Sequence, residues 1–456
     1  MIDTRALAAI VGDDWVISDR RMMEKYLIDE TYTGLVMTPA ENVVVVKPAT
    51  TEEVSRIIKL ANEAGFFVYP RGGGTGVVAG AIPTRDGVVL SLERLDRIEE
   101  VDEDNLMVVA EAGVTLGQLL EAIEAKGLLF PPHPGDEGAQ LGGLVVCNAG
   151  GTRAVKYGIV RNYVKGLEVV LPTGEIVTLG GKLLKNNTGL DLMHLLIGSE
   201  GILGVVTKVI LRLYPKFAGP ATLVVSFEDR NAAIRAVPRI LQAGVIPMAV
   251  EYVDRRLMED TAAYLNTSWP ASKGAAHLIV IITGTNEDDL YEQCEAVSAI
   301  CDDSGAVDTL MAEGREEQAH ILHVRSEVSM VYKADTAEIL DVTVPPAAVE
   351  QMMNEVDRLA AEYDTRIPMV AHAGDGNFHP YLMRELKARG LHEEVKRKIY
   401  ARAVALGGVI SGEHGVGKTR LGEIEMCVDA TSLALMRGLK RAFDPNGVLS
   451  PDSAIK

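Results

Sequence analysis

Apolar positions along the chain change their period repeatedly, and each change predicts an element. "NVVVVKP" at 42–48 is a continuous apolar run, the pattern of a buried strand. From Thr50 the period becomes helical: Val54, Ile57, Ile58 and Ala61 share one face behind a capping box, Thr50 with Glu53, and Gly65 marks the stop. "FFVYP" returns to strand, so residues 43–70 read as a β-α-β unit running directly into the glycine loop "RGGGTG", Arg71 to Gly76. Strands follow at "GVVLSL" and "LMVVAEAG", with a helix over Thr115 to Lys126. The passage from "PPHPGDEG" to "VLPTG" is too rich in Gly, Pro and Asn for regular elements throughout. Ordering that much free backbone is costly, which predicts a large polar cofactor as its organiser. Near Pro215 the pattern changes again. Three strand-helix-strand units, 221–254, 277–311 and 339–373, predict an antiparallel sheet covered by helices on one face, and the tail "FDPNGVLSPDSAIK" is expected to pack back on the first domain.

Length supports this division, because 456 residues exceed what one core usually encloses. The composition, 47% apolar with 5% aromatic residues and 44 glycines, is that of an aliphatic, loop-rich globular protein. A net charge of −19 disfavours nucleic acid and anionic membrane surfaces as partners. No secretory signal pattern and no transmembrane segment are read in the chain, so the expected location is cytoplasmic. The cysteines, Cys147, Cys294, Cys301 and Cys427, have no zinc or iron–sulfur spacing and read as small buried hydrophobes.

"GEHGVGKT" at 412–419 fits the phosphate-loop pattern of NTPases, yet only residues 420–456 follow it, mostly helical in pattern and without an apolar strand ending in Asp. The ATPase fold has no room, and other chemistry must explain the motif. Upstream, "VAHAGDGNFHPYL" places His372 and His379 on either side of Asp375-Gly376. A two-residue Asp-Gly hairpin would set His372 opposite His379, with Asn377 on the same face. Two imidazoles with the Glu413 carboxylate make a borderline site for a divalent ion, zinc or manganese, with iron also compatible; two ordinary histidines are the bland alternative. His414 would point elsewhere on an extended backbone and is free to carry a proton.

In order along the chain, "PRGGGTG", "GGLVVCNAGG", "YGIVRNYV", "GLDLMHLLIGSEGILGVVTKVILRLYPK", "HAGDGNFHP" and "SGEHGVGK" resemble the FAD-linked D-2-hydroxyacid dehydrogenases of the vanillyl-alcohol oxidase superfamily. That group includes D-lactate dehydrogenases and the flavoprotein subunit of glycolate oxidase. The resemblance implies an α+β fold: a two-subdomain FAD-binding domain at 1–215, an antiparallel-sheet substrate or cap domain at 216–411, and a segment 412–456 that completes the active site. It implies FAD contacts at Pro70, Arg71, Gly72, Gly73, Gly74, Thr75 and Gly76, with backbone N–H groups cradling the pyrophosphate. Further contacts are implied at Pro132, Gly142, Gly143, Asn148, Gly150, Gly151, Gly158, Ile159, Gly198, Glu200, Gly201 and Gly204. The glycine loop holds no His of the kind that carries covalent flavin, so noncovalent FAD is expected. Two departures are Ile202 where Thr is usual and "SPDS" where relatives have "NPGK".

The same resemblance carries metal ligation onto His372, His379 and Glu413, the base onto His414, substrate orientation onto Asn377, and a carboxylate clamp onto Arg325, whose alternative is a surface ion pair. The reaction implied oxidises a small (R)-2-hydroxy acid: the metal stabilises alkoxide character, His414 takes the hydroxyl proton and hydride passes to flavin N5. Members that prefer 2-hydroxyglutarate carry a Lys before the Asp corresponding to Asp341, where this chain has Ile339 and Leu340; D-lactate or glycolate is therefore favoured. Electrons are expected to leave through an electron-transfer flavoprotein, an iron–sulfur subunit, a cytochrome or a quinone. The rivals are a flavin-dependent alkyl-glycerone-phosphate synthase, a D-2-hydroxyglutarate dehydrogenase, a flavin-free metal hydrolase and a relay subunit without catalysis of its own.

Overall fold

The computed structural model describes residues 2–35, 37–217, 219–312 and 314–455. The valine run forms the strand Val43–Val46, and the helix Thr51–Ala64 starts where Thr50 Oγ1 accepts from Glu53 N at 3.1 Å and ends at Gly65. Its inward face, Val54, Ile57, Ile58 and Ala61, is fully buried, each larger side chain contributing about 1.5–3 kcal/mol. Val43–Val46, Gly87–Ser91 and Phe67–Arg71, in that order, run parallel in a four-stranded sheet, with Val16–Ile17 antiparallel on the outer side of Val43–Val46 and Phe67–Arg71 at the opposite edge. A five-stranded antiparallel sheet follows in the order Ile98–Asp102, Met107–Glu111, Val205–Arg212, Val164–Val170, Ile176–Gly180. Both sheets share one apolar core, which also takes in Val448, Leu449 and Ala454. The tail reaches that core by bonding Val68: Val68 N–H donates to Val448 O and Ser450 N–H to Val68 O, both at 2.9 Å.

The second sheet system is eight-stranded and antiparallel throughout. Its main path runs Ala306–Ala312, Ala221–Phe227, Ala276–Ile282, Ala249–Asp254, Met369–His372, Asn377–Met383, Thr336–Ile339, with Val342–Thr343 also paired to Asn377–Met383. Helices cover both of its faces, which corrects the expectation of one covered face. Val225, Tyr252, Val280, Val297, Met353 and Ile399 pack on one side, while Val224, Val253, Ile279, Met258, Ile321 and Val324 pack on the other. The strands "ATLVVSF" and "AHLIVII" are buried at every position, and a continuous apolar run needs cover on both faces. The helix Ala154–Tyr157 ties the two sheet systems together. Lys156 Nζ donates to Thr283 Oγ1 at 2.8 Å, and Val155 stands so close to Gly374 that a Cβ there would meet it at 2.7 Å.

Candidate active site

The strand Asn377–Met383 and its neighbour Met369–His372 present the two histidines, but in a different register from the one expected. His372 pairs with Asn377 and His379 with Val370, so the chain reverses over 373–376 and not over Asp375-Gly376 alone. The reason is local: His372 O accepts from both Asp375 N (3.2 Å) and Gly376 N (3.1 Å), which starts the turn two residues early. A slip of two leaves every side chain on its original face. His372, Asn377 and His379 therefore still share one, and the two imidazoles meet edge to face with centroids 5.3 Å apart.

Glu413 arrives from the loop that follows Ile410. Its Oε1 lies 3.5 Å from His372 Nε2 and 3.3 Å from His379 Nε2, and one donor atom from each of the three falls within 4.8 Å of the others. His372 Nδ1 is held by the buried Glu251, at 2.7 and 2.9 Å, which turns its Nε2 toward Glu413. A histidine backed by a carboxylate is the usual arrangement behind a metal ligand, and two imidazoles with one carboxylate suit zinc or manganese. Asp341, His379 and His414 form a second compact triplet, but it suits an ion poorly. Asp341 Oδ2 already accepts from Ser411 Oγ (2.8 Å), Glu413 N (3.0 Å) and His414 N (2.8 Å), with the Arg420 guanidinium 3.6 Å away.

Those same bonds shape the loop 411–417. Asp341 is completely buried and gathers the backbone of 413 and 414, while Arg420, also buried, donates to Ser411 Oγ (3.0 Å) and Gly415 O (2.8 Å). A Cβ at Gly412 would fall 2.1 Å from Thr343 Oγ1, so only glycine lets the loop lie this close to the sheet. Lys418 is used structurally, donating to Ala79 O and Gly80 O at 3.0 Å each. This accounts for the residues that imitate a phosphate loop.

His414 stacks on His379 with centroids 5.2 Å apart. Burial pushes its imidazole down to about 4, and His379 and Arg420 add to that against the pull of Asp341 and Glu413. It is therefore neutral at physiological pH and able to accept a proton. Burial opposes the charge of Glu413, yet His372 and His379 hold its carboxyl well below the usual range. Burial likewise opposes charge on His372, but Glu251 and Glu413 keep it well above the ordinary imidazole value.

Arg325, near the end of the helix Arg315–Ser326, donates from Nη2 to Glu251 Oε2 at 2.6 Å, while its Nε is buried with no partner among the described residues. The pair is far from a surface ion pair, since the Arg325 and Glu251 side chains are 12% and 2% exposed. Glu251 thus joins Arg325 to His372. Asn377 is less free than expected: its Nδ2 donates to Asp341 Oδ1 (2.8 Å), Val342 O (3.2 Å) and Thr343 Oγ1 (3.0 Å), leaving only its carbonyl oxygen for a ligand.

The glycine-rich segments converge on this cluster. Pro70 and Arg71 close the strand Phe67–Arg71, and the loop 72–76 follows it. The Arg71 guanidinium is spent on Lys25 O and Ile28 O at 2.7 Å each, so the loop offers backbone and not this side chain. Gly142 and Gly143 lie in the helix Leu141–Cys147, and Asn148 caps its end. A Cβ at Gly76, Gly143 or Gly201 would meet nothing within 4 Å among the described residues, whereas one at Gly150 would stand 2.9 Å from Glu413 Oε2. Open space beside backbone N–H groups, bordered by the Glu413 carboxylate, suits a dinucleotide whose reactive end adjoins the histidines. Pro132, Gly151, Gly158, Ile159 and Gly198 occupy the connecting loops of the same region, and His133 O crowds Gly151 at 2.4 Å from its Cβ position. Gly142 and Gly204 have packing tasks, with Cβ positions blocked by Ala112 Cβ at 2.8 Å and Val169 Cγ1 at 2.7 Å. Glu200 does not point at open space: its carboxylate accepts from Val416 N (2.8 Å) and Gly417 N (2.7 Å), bracing the loop that carries Glu413 and His414.

Glu251, Asp341 and Arg420 were not among the residues expected to serve the site. A lone carboxylate inside the buried strand "AVEYVD" is the signal that marks Glu251. Replacing Glu251 with Gln is expected to weaken divalent-metal retention about 10- to 100-fold, read by chelator competition on protein with an unchanged flavin spectrum. Equal retention would show that His372 needs no orientation by Glu251.

Residues 43–180 match the family described as FAD binding domain, and residues 220–454 the family described as FAD linked oxidases, C-terminal domain. The chain is 40% identical over 433 residues to D-lactate dehydrogenase of Archaeoglobus fulgidus, covering 95% of this chain and 96% of that protein. It is 37% identical over 417 residues to glycolate oxidase subunit GlcD of Bacillus subtilis, covering 89% and 87%. Its fold superimposes on substrate-bound p-cresol methylhydroxylase with a TM-score of 0.78 at 18% identity, over 99% of this chain and 95% of that one. Among the described residues no helix is long and apolar enough to cross a membrane.

Proposed function

The chain belongs to the FAD-linked D-2-hydroxyacid dehydrogenases of the vanillyl-alcohol oxidase superfamily, an FAD enzyme that oxidises hydroxy acids, and from that membership we propose that its substrate is a small (R)-2-hydroxy acid, D-lactate or glycolate. The observation that carries the reading is the convergence of His372, His379 and Glu413 with His414 stacked on His379, at a point where a Cβ on Gly150 would stand 2.9 Å from Glu413 Oε2. When bound, FAD at 70–76 and the following glycine segments supplies the hydride acceptor, and a divalent ion at His372, His379 and Glu413 supplies charge stabilisation for the substrate oxygen.

The chain's own residues do the rest. Arg325 binds the substrate carboxylate through its guanidinium, whose Nε has no partner among the described residues. His414 removes the C2 hydroxyl proton. Glu251 fixes Arg325 and His372 together, so the group that reads the carboxylate and the group beside the hydroxyl keep one spacing. Asp341 and Arg420 hold the loop that presents Glu413 and His414. FAD is held without a covalent bond. Cysteines lacking cluster spacing imply that electrons pass to a separate acceptor: an electron-transfer flavoprotein, an iron–sulfur subunit, a cytochrome or a quinone. The test is anaerobic titration of the yellow protein with D-lactate, L-lactate and glycolate. Bleaching by D-lactate or glycolate and none by L-lactate supports the reading, and a flavin indifferent to all three overturns it.

A further inference from the structure

Residues 29–35 lie across both halves of the site. On one side Glu30 N–H donates to Gly76 O at 2.9 Å, and Thr31 Oγ1 accepts from Ala79 N at 2.6 Å, which anchors the segment to the end of the glycine loop. On the other side the turn Thr33–Leu35 sits on the strand Thr336–Ile339. A Cβ at Gly34 would be 2.3 Å from Ala337 O, Lys387 Nζ donates to Gly34 O, and Glu30 Oε2 lies 3.9 Å from Lys333 Nζ. Tyr32 is held between these anchors and packs on the apolar cluster that contains Ile339, Val370 and Tyr381.

That cluster covers the same sheet face as the histidines. Tyr381 follows His379 by two positions in one strand, so it shares that face and lies about 7 Å farther along. Ile339 pairs with Tyr381 across the sheet, and Val370 pairs with His379. Tyr32 is largely enclosed, and burial with the nearby Glu30 pushes its phenol up to about 12, so it presents an uncharged ring. A hydroxy acid with its carboxylate on Arg325 and its hydroxyl toward His414 must direct its remaining C2 substituent elsewhere. Beyond the histidines on this face, Ile339, Val370, Tyr381 and Tyr32 supply apolar surface, with Arg325 the charge that bears on the Tyr381 phenol.

We propose that Tyr32 is a specificity-determining residue: carried by the 29–35 strap, its ring forms with Tyr381 the wall against which C3 of the substrate packs, limiting the site to short side chains. The inference rests on the hydroxy-acid oxidation proposed above. Each methylene that an apolar wall rejects is worth roughly 10- to 200-fold in kcat/KM, so a missing ring should be visible in a chain-length series.

The experiment measures flavin bleaching under anaerobic conditions with D-lactate, D-2-hydroxybutyrate and D-2-hydroxyisocaproate. Wild type is expected to prefer D-lactate. Tyr32→Ala should raise the kcat/KM ratio of D-2-hydroxyisocaproate to D-lactate by about tenfold or more, chiefly through KM, while Tyr32→Phe, which keeps the ring, should hold the ratio within about twofold. Tyr32→Leu serves as a second, milder truncation if the alanine variant does not fold, with the same direction expected. A wild type bleached by these acids together with an unchanged ratio in the truncated variant removes the wall and leaves the oxidation standing. A wild type bleached neither by these acids nor by glycolate removes both; if glycolate alone bleaches it, Tyr32→Ala is expected to admit D-lactate, and its failure to do so removes the wall.

Discussion

Replacing His414 with Ala is expected to leave a folded, yellow protein whose flavin is bleached by D-lactate about 100- to 10,000-fold more slowly than in wild type, the usual contribution of a positioned general base. The imidazole has little structural work. Among the described residues no hydrogen bond from its ring braces the loop, its Nδ1 is 3.8 Å from Asp341 Oδ2, and the loop is held by the backbone N–H of 414, which alanine retains. Metal content should stay at the wild-type level, because His414 contributes no donor to the favoured triplet. Stopped-flow absorbance at the flavin band reads the rate, and rapid bleaching in the variant would pass the proton to another group.

The second large effect is expected at Asp341, and it should be of a different kind. Asp341→Asn keeps the volume but places an amide N–H₂ against a pocket built to donate, since Oδ2 receives Ser411 Oγ and the N–H groups of 413 and 414, and Oδ1 receives Asn377. At least one buried donor loses its acceptor, at about 1–3 kcal/mol, and buried Arg420 loses its nearest counter-charge, a break worth about 3–5 kcal/mol in comparable pairs. The loop carrying Glu413 should loosen. Both metal retention and bleaching are then expected to fall, with a lower thermal midpoint, whereas His414→Ala loses the rate alone. Metal content and midpoint unchanged in Asp341→Asn would deny it the part of loop organiser.

The two variants also show what a single sequence makes readable. Local signals were sufficient for the helix Thr51–Ala64, because its cap, apolar face and stopping glycine are neighbours in the chain. The face shared by His372, Asn377 and His379 was readable too, because strand parity survives an error of two in the turn. The turn itself departs from its local signal: Asp-Gly favours a two-residue loop, but the carbonyl of His372 captures two N–H groups and ends the strand early. Helices on the second face of the large sheet were legible in the unbroken apolar strands, yet the three-unit pattern drew attention to one face only. Glu251 and Asp341 were out of reach for another reason. Glu251 lies 121 residues from His372 and Asp341 lies 72 from Glu413, and no periodicity relates side chains that meet only when the sheet assembles.

The pairing of Val68 with 448–450 bears on how the protein is made. Val448 follows Val68 by 380 residues, so at about 5–20 residues per second a ribosome delivers the partner roughly 20–80 s after the strand that awaits it. Throughout that interval the outer edge of Phe67–Arg71 has unclaimed N–H and C=O groups, and the core lacks Val448 and Leu449. The nascent chain is therefore a natural client for chaperones, and the half of the molecule synthesised first is among the last parts to be finished.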